Sequence, residues 1–459
     1  MDNLVPELPP AQEEAIKGFR TSSGHERSNS SPTLYERSAS TPPAGLCKED
    51  TIVVEGESSF RHQTLLASQI TELNTNPGPQ PSPVPSELAN LRTIIKEHAS
   101  PDESERNRND RPNAGTTVSG NELPPSHVIL GLLSLVRGEE SGVSSFYGLY
   151  AWKVFEDLCR RIYFPIEPIP KDQLVLFYGA VSAIARSIDV PPEHQLNKQE
   201  LDLTRRFCEE KFFQGVHTYE VMALPSRERV FAIYLAMIHA QNEAELTLQW
   251  TLTSAAARHC IALGYHREEG LAQFPAQEAE TVRRIFWQIY ISDKNLSLRL
   301  GKASTIQDFD TDIQQVPISE DPKRAPWDIA FVACTNLAHL QGCLYEGLYS
   351  SAARKHTKEV RSEVVSSLAA KLAQWYDDWL HINSSAAFDR TLLGRTFEPM
   401  HIVYYSVLTL LYRGETMSNS ASEISPRCFE AARQGLQAHL AYYPKIVSSG
   451  SQVSSYLLW

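Results

Sequence analysis

The chain of 459 residues carries 43 Lys and Arg against 55 Asp and Glu, a formal net charge of −12. That balance argues against a phosphate-binding surface, because nucleic-acid contacts are made by basic residues. Hydrophobic residues make up 42%, enough for a sizeable core, while the longest apolar stretch, around Leu174 to Ala185, falls short of the roughly 20 residues a bilayer span needs.

The amino terminus, MDNLVPELPP, lacks the basic-then-apolar pattern of a secretory signal. Residues 1–122 are rich in Ser, Pro, Asn and charge, a composition that buries too little apolar surface to offset its ordering entropy. A disordered segment is expected there, with helical islands at Ser59 to Leu73 and Ser86 to His98. The stretch Leu88 to Ile95 spans fewer heptads than a coiled coil needs.

From Leu123 onward the apolar residues recur at helical spacing almost throughout. The pattern predicts helices at Ser145–Ile162, Asp172–Ile188, Lys198–Gly215, Ser226–Ala240, Glu243–Leu263 and Glu278–Leu300. Further helices are predicted at Trp327–Tyr349, Val360–Trp379, Pro399–Tyr412 and Pro426–Tyr442. Period-2 runs separated by hairpin turns are lacking. The expected fold is therefore all-α, a large multi-helix bundle over residues 123–459 behind the disordered segment. The apolar run Ser455 to Trp459 reads as a C-terminal truncation of that bundle.

The most informative block runs from Glu278 to Pro317. Val282, Ile285, Phe286, Ile289, Leu296 and Leu300 form one apolar helix stripe, and Asp293 falls on it. A carboxylate there needs partners, since an unpaired buried charge costs several kcal/mol or so. Arg283 and Arg284 lie more than two turns away, which leaves Lys302, Arg267 or backbone amides beyond Gly301. Gly301 supplies a helix stop. An acidic extended segment follows, with Asp308, Asp310 and Asp312 alternating against Ile306, Phe309 and Ile313, and Pro317 closes it.

This block resembles the regulatory domain of fungal-specific transcription factors, the middle homology region of binuclear zinc-cluster regulators. The residues that match are Arg283, Arg284, Phe286, Trp287, Asp293, Leu300, Gly301, Asp308, Asp310, Asp312 and Pro317. Lys294 and Lys302 stand where that family has arginine, and Ala303 where it has proline. Upstream, Leu263, Gly264, His266 and Arg267 resemble the end of the family's preceding helix. Downstream, Pro399 to Arg413, and Cys428 with Ala431, Ala432 and Arg433, are similar to its late helices. The resemblance implies transcription regulation in the nucleus of a fungus, with structural roles for the motif residues.

The sequence holds no recognisable metal-ligand or catalytic array. The seven cysteines, Cys47, Cys159, Cys208, Cys260, Cys334, Cys343 and Cys428, form no Cys-x2-Cys-x6-Cys array, so zinc and DNA binding are family-level properties only. Their mostly apolar helical contexts read as reduced, buried thiols in an intracellular protein. Asp308-x-Asp310-x-Asp312 begins like a calcium loop, but Ile313 stands at the sixth position and Ser319 at the twelfth, where Gly and Glu are required. A solvated or dipole-capping acidic edge is the better reading. His259 and His266, near a helix end, are expected to cap carbonyls. Catalytic and nucleotide-binding motifs are lacking, so neither enzyme activity nor a cofactor in this chain is expected.

The expected function is that of a fungal transcriptional regulator. The alternative is a non-catalytic helical scaffold or co-regulator acting through protein–protein contacts. Expected partners are the transcription machinery or a homologous regulator, with a homodimer and a small-molecule effector left open. DNA would be engaged only through a module missing here, and no membrane is implied.

Overall fold

The computed structural model describes residues 123–137, 152–188, 190, 194–219, 224–388, 390, 393–394, 398–416 and 424–449, with 58–59, 62–64 and 90. The expected helical islands near the amino terminus, and the truncation read from Ser455 to Trp459, lie almost wholly or wholly outside these residues.

The described residues are all-α and contain no strand. The helices are α1 (Ser126–Arg137), α2 (Trp152–Tyr163), α3 (Lys171–Ser187), α4 (Lys198–Val216), α5 (Arg227–Asn242), α6 (Leu246–Ala262) and the single turn α7 (Glu268–Leu271). They continue with α8 (Ala276–Leu300), α9 (Ala325–Leu344), α10 (Lys358–Leu380), α11 (Met400–Thr416) and α12 (Pro426–Ser449). A π-helical turn, Tyr345–Tyr349, prolongs α9. Helix α1 was not predicted; Gly131 inside it is a weak helix former, kept because Leu196 packs where a side chain would stand.

Starts and stops follow local chemistry. The Asn197 side chain accepts from the N–H groups of Gln199 and Glu200, Ser226 accepts from Arg229, and Thr357 accepts from Val360. Gly301 ends α8 with φ of 64°, its N–H bonded to the Ser297 carbonyl. The buried Arg361 guanidinium donates to the carbonyls of Leu348 and Ala353, satisfying the end of the π turn.

Two apolar clusters form the core. The first joins α1 to α6 with α8, and takes in Ile306, Ile313 and Val316 from the segment after α8. The second joins Leu298 of α8 to α9, the π turn, α10 and α11. Helix α8 contributes to both and is buried almost all round, from Thr281 to Leu300. On α6, Ala256 and Ala257 are fully buried. Trp375 and Trp379 stack at 5.5 Å in the second cluster.

Candidate functional site

The polar residues of the α8 block gather at one place, where the segment 302–317 folds back along α8 as a strap. Asp293 and Lys294 make its tightest contacts. Asp293 is buried, and its two oxygens accept from the N–H groups of Thr305 at 3.0 Å and Ile306 at 2.8 Å. The partners are thus the amides beyond Gly301. Lys302 instead lies over the Trp250 ring at 3.8 Å, and Arg267 pairs with Asp310. Burial pushes the Asp293 carboxyl up, against the downward pull of the two amides and of Lys294.

Lys294 is fully buried, and its ammonium donates to the Ile306 carbonyl at 2.9 Å and the Ser304 hydroxyl at 3.1 Å, and pairs with Asp308 at 3.2 Å. Its stem passes against α9 at Gly342, where an added Cβ would stand 2.9 Å from the Lys294 Cδ. Asp308 also accepts from the Tyr290 hydroxyl at 2.7 Å and faces His339 Nδ1 of α9 at 3.4 Å. Burial alone would raise the Asp308 carboxyl. The His339 hydrogen bond, the Lys294 charge and the Tyr290 hydroxyl outweigh it and hold the group at about 2. Reciprocally, the Asp308 and Cys343 hydrogen bonds raise His339 to about 10 against a smaller desolvation penalty.

The rest of the strap is fastened by the other motif residues. Arg283 forms a fork with Glu268 at 2.6 and 3.0 Å, and the same carboxylate accepts the Gln314 N–H at 3.0 Å. The Trp287 indole donates to the Gln314 carbonyl at 2.9 Å. Asp312 accepts the Glu268 N–H at 3.0 Å, and Asp310 meets Arg267 and, at 3.5 Å, His266. Arg284 is buried and donates to the fully buried Asp328 at 2.5 Å, whose other oxygen accepts the Ser319 N–H at 3.0 Å. Phe286 and Leu300 fill the core, Gly264 adopts φ of 74°, and Pro317 is exposed just past the buried Val316. All thirteen motif residues therefore lie on α8 or its Gly301 cap, on the strap, or in the turn Gly264 to Arg267 that the strap crosses.

Two expectations need correction. The segment 306–313 is not a regular alternation: Asp308–Asp310 form a 3₁₀ turn, which rotates Phe309 outward to 90% exposure while Ile306 and Ile313 stay buried. The three aspartates accordingly point to three different partners. His259 and His266 do not cap carbonyls. Their Nδ1 atoms are buried without a partner, and His266 Nε2 accepts from Arg267. Sequence reading missed Tyr290, His339, Cys343, Glu268 and Asp328. A carboxylate one helical turn after Arg324 and a histidine one turn before Cys343 were the available signals.

The central helix α8 thus pins a following acidic strap, with the polar groups of both turned inward on one another. Residues 225–377 match the fungal specific transcription factor domain. It is 26% identical over 234 residues to an uncharacterized transcriptional regulatory protein of Schizosaccharomyces pombe, covering 46% of this chain and 35% of that one. It is 27% identical over 332 residues to an ABC-transporter-regulating transcription factor of Aspergillus oryzae, covering 69% of this chain and 36% of the relative. A second protein of that description, from Aspergillus fumigatus, is 27% identical over 203 residues, covering 41% of this chain and 22% of the relative. The matches span between about a fifth and a third of these relatives' lengths. No solved structure matches. Among the described residues no helix is long and apolar enough to cross a membrane.

Proposed function

We propose that this chain is the regulatory part of a fungal transcriptional regulator that acts in the nucleus through protein–protein contacts, without catalysis. The observation that carries the reading is the strap clamp itself, in which the residues that match the family motif hold one segment against α8. The net charge of −12 favours DNA recognition by a module outside this chain, joined to it covalently or by a homologous regulator. An apolar row on α12, Phe429, Leu436 and Leu440, each 65–70% exposed, supports a protein partner as the target.

The test is to tether the full chain to an unrelated DNA-binding module upstream of a reporter in yeast. The expected outcome is a change in reporter output relative to the module alone. Loosening the strap by Asp293→Ala should shift that output at matched protein abundance. Output equal to that of the bare module would overturn the reading.

A further inference from the structure

The Asp308 contact with His339 continues one residue further. On α9, His339 and Cys343 are one turn apart, and the second ring nitrogen, Nε2, lies 3.6 Å from the Cys343 sulfur. Asp308 Oδ2 faces Nδ1 at 3.4 Å, so carboxylate, imidazole and thiol form a continuous chain. His339 is raised to about 10 by its Asp308 and Cys343 hydrogen bonds, so at neutral pH it is an imidazolium with an N–H directed at the sulfur. That N–H stands beside the sulfur at the point where an attacking thiol would meet its electrophile.

Burial pushes Cys159, Cys208 and Cys334 up to about 12, and drives Cys260 and Cys428 upward as well. Cys343 is half-buried and opens onto a groove between the π turn and α10, lined by Val360, Val364 and Leu368 and flanked by Glu346 and Glu363. The apolar wall accepts a small neutral molecule. The two glutamates repel anions such as glutathione disulfide.

We propose that Cys343 is a covalent modification site for small neutral α,β-unsaturated carbonyl compounds, with His339 and Asp308 as its positioning residues. The thiol proton leaves to solvent and the sulfur attacks the β-carbon, forming the C–S bond. The alkene electron pair moves onto the α-carbon and carbonyl. The resulting enolate takes the Nε2 proton, which solvent restores. The net change is addition of S–H across the double bond, and no oxidant is consumed. This inference does not depend on the transcriptional reading.

The experiment uses the full chain with Cys47→Ser, because Cys47 lies outside the described residues. Sub-stoichiometric N-ethylmaleimide at pH 7 is followed by peptide mapping. Cys343 is expected to be labelled about tenfold faster than the buried Cys334 or Cys428, and faster than the same cysteine in urea-unfolded chain, where the His339 contact is lost. His339→Gln should slow Cys343 labelling about tenfold, and glutathione disulfide should react more slowly than the maleimide. Preferential labelling of another cysteine, or a folded Cys343 no faster than the unfolded one, would overturn the proposal. So would a full labelling rate in His339→Gln, or preferential reaction with the disulfide. The folded-against-unfolded comparison needs no variant and decides the matter even if His339→Gln misfolds.

Discussion

Asp293 and Lys294, adjacent on α8, hold the two backbone groups of a single strap residue: Asp293 accepts the Ile306 N–H at 2.8 Å and Lys294 donates to the Ile306 carbonyl at 2.9 Å. Neighbours on a helix diverge by about 100°, so they reach one residue only because the strap crosses α8 between them. Side chains here supply what a partner strand would supply in a sheet.

The first prediction follows from that geometry. Asp293→Ala leaves the buried N–H groups of Thr305 and Ile306 without acceptors and Lys294 with a weaker counter-charge. An expected loss of about 3–5 kcal/mol should appear as a lowered thermal midpoint. Asp293→Asn keeps one acceptor but turns an N–H toward the other donor, so it should fall between parent and alanine variant. An unchanged midpoint for the alanine variant would show that the clamp contributes nothing.

A second prediction concerns pH. His339 is raised to about 10, so its contribution is complete below its unfolded value near 6.5 and is lost as pH rises toward 10. Asp308 is held at about 2, so its contribution is present above its unfolded value near 3.9 and is lost as pH falls toward 2. The His339 side chain is 54% exposed, and solvent screening limits its part to about 1 kcal/mol or less. Urea midpoints between pH 6.5 and 10 should decline in the parent and lie flatter in His339→Gln. Parallel curves would refute the pairing.

Much of this site was legible because its signals are local. The α8 stripe, the Asp293 anomaly and the Gly301 stop are readable from spacing, and α8 runs Ala276–Leu300 against the expected Glu278–Leu300. What escaped reading is set by long-range docking. Lys294 looks like a surface lysine until Gly342 on α9 makes room for its stem, and His339 acquires its partner only when the strap brings Asp308 across 31 residues of chain. The alternation 306–313 misled because a 3₁₀ turn shifts the face of Phe309 without changing composition.

The turn Gly264 to Gly270 gives a third prediction. A Cβ on Gly270 would stand 2.1 Å from the Gly264 carbonyl oxygen, a backbone atom that cannot swing aside. Gly270→Ala must therefore move the turn whose His266 carbonyl receives the N–H groups of Asp312 and Ile313. A loss of about 1–3 kcal/mol is expected, together with faster proteolysis within the strap. Gly394→Ala, with nothing within 4 Å of the added atom, is the control and should be neutral.

The last prediction separates burial of charge from its pairing. Arg284 and Asp328 meet at 2.5 Å, with side chains 3% and 0% exposed, and the pair joins α8 to α9. Removing one partner strands the other. Arg284→Met leaves the Asp328 carboxylate with the Ser319 N–H at 3.0 Å and a more distant Arg324 at 3.7 Å, neither a full replacement. The expected cost is about 3–5 kcal/mol. Asp328→Leu should cost a similar amount, because it strips the Arg284 guanidinium of its closest carboxylate and leaves Ser319 without an acceptor. The double variant removes both charges from a site that already holds Phe331, whose ring lies 5.6 Å from the guanidinium carbon. Its loss should be smaller than the sum of the single losses by about 2 kcal/mol or more, since replacing a whole buried pair by apolar groups is often near neutral. Urea unfolding of the parent, the two single variants and the double variant completes the cycle. Strict additivity would mean that the two side chains do not depend on each other, and the α8–α9 junction would then rest on apolar packing alone.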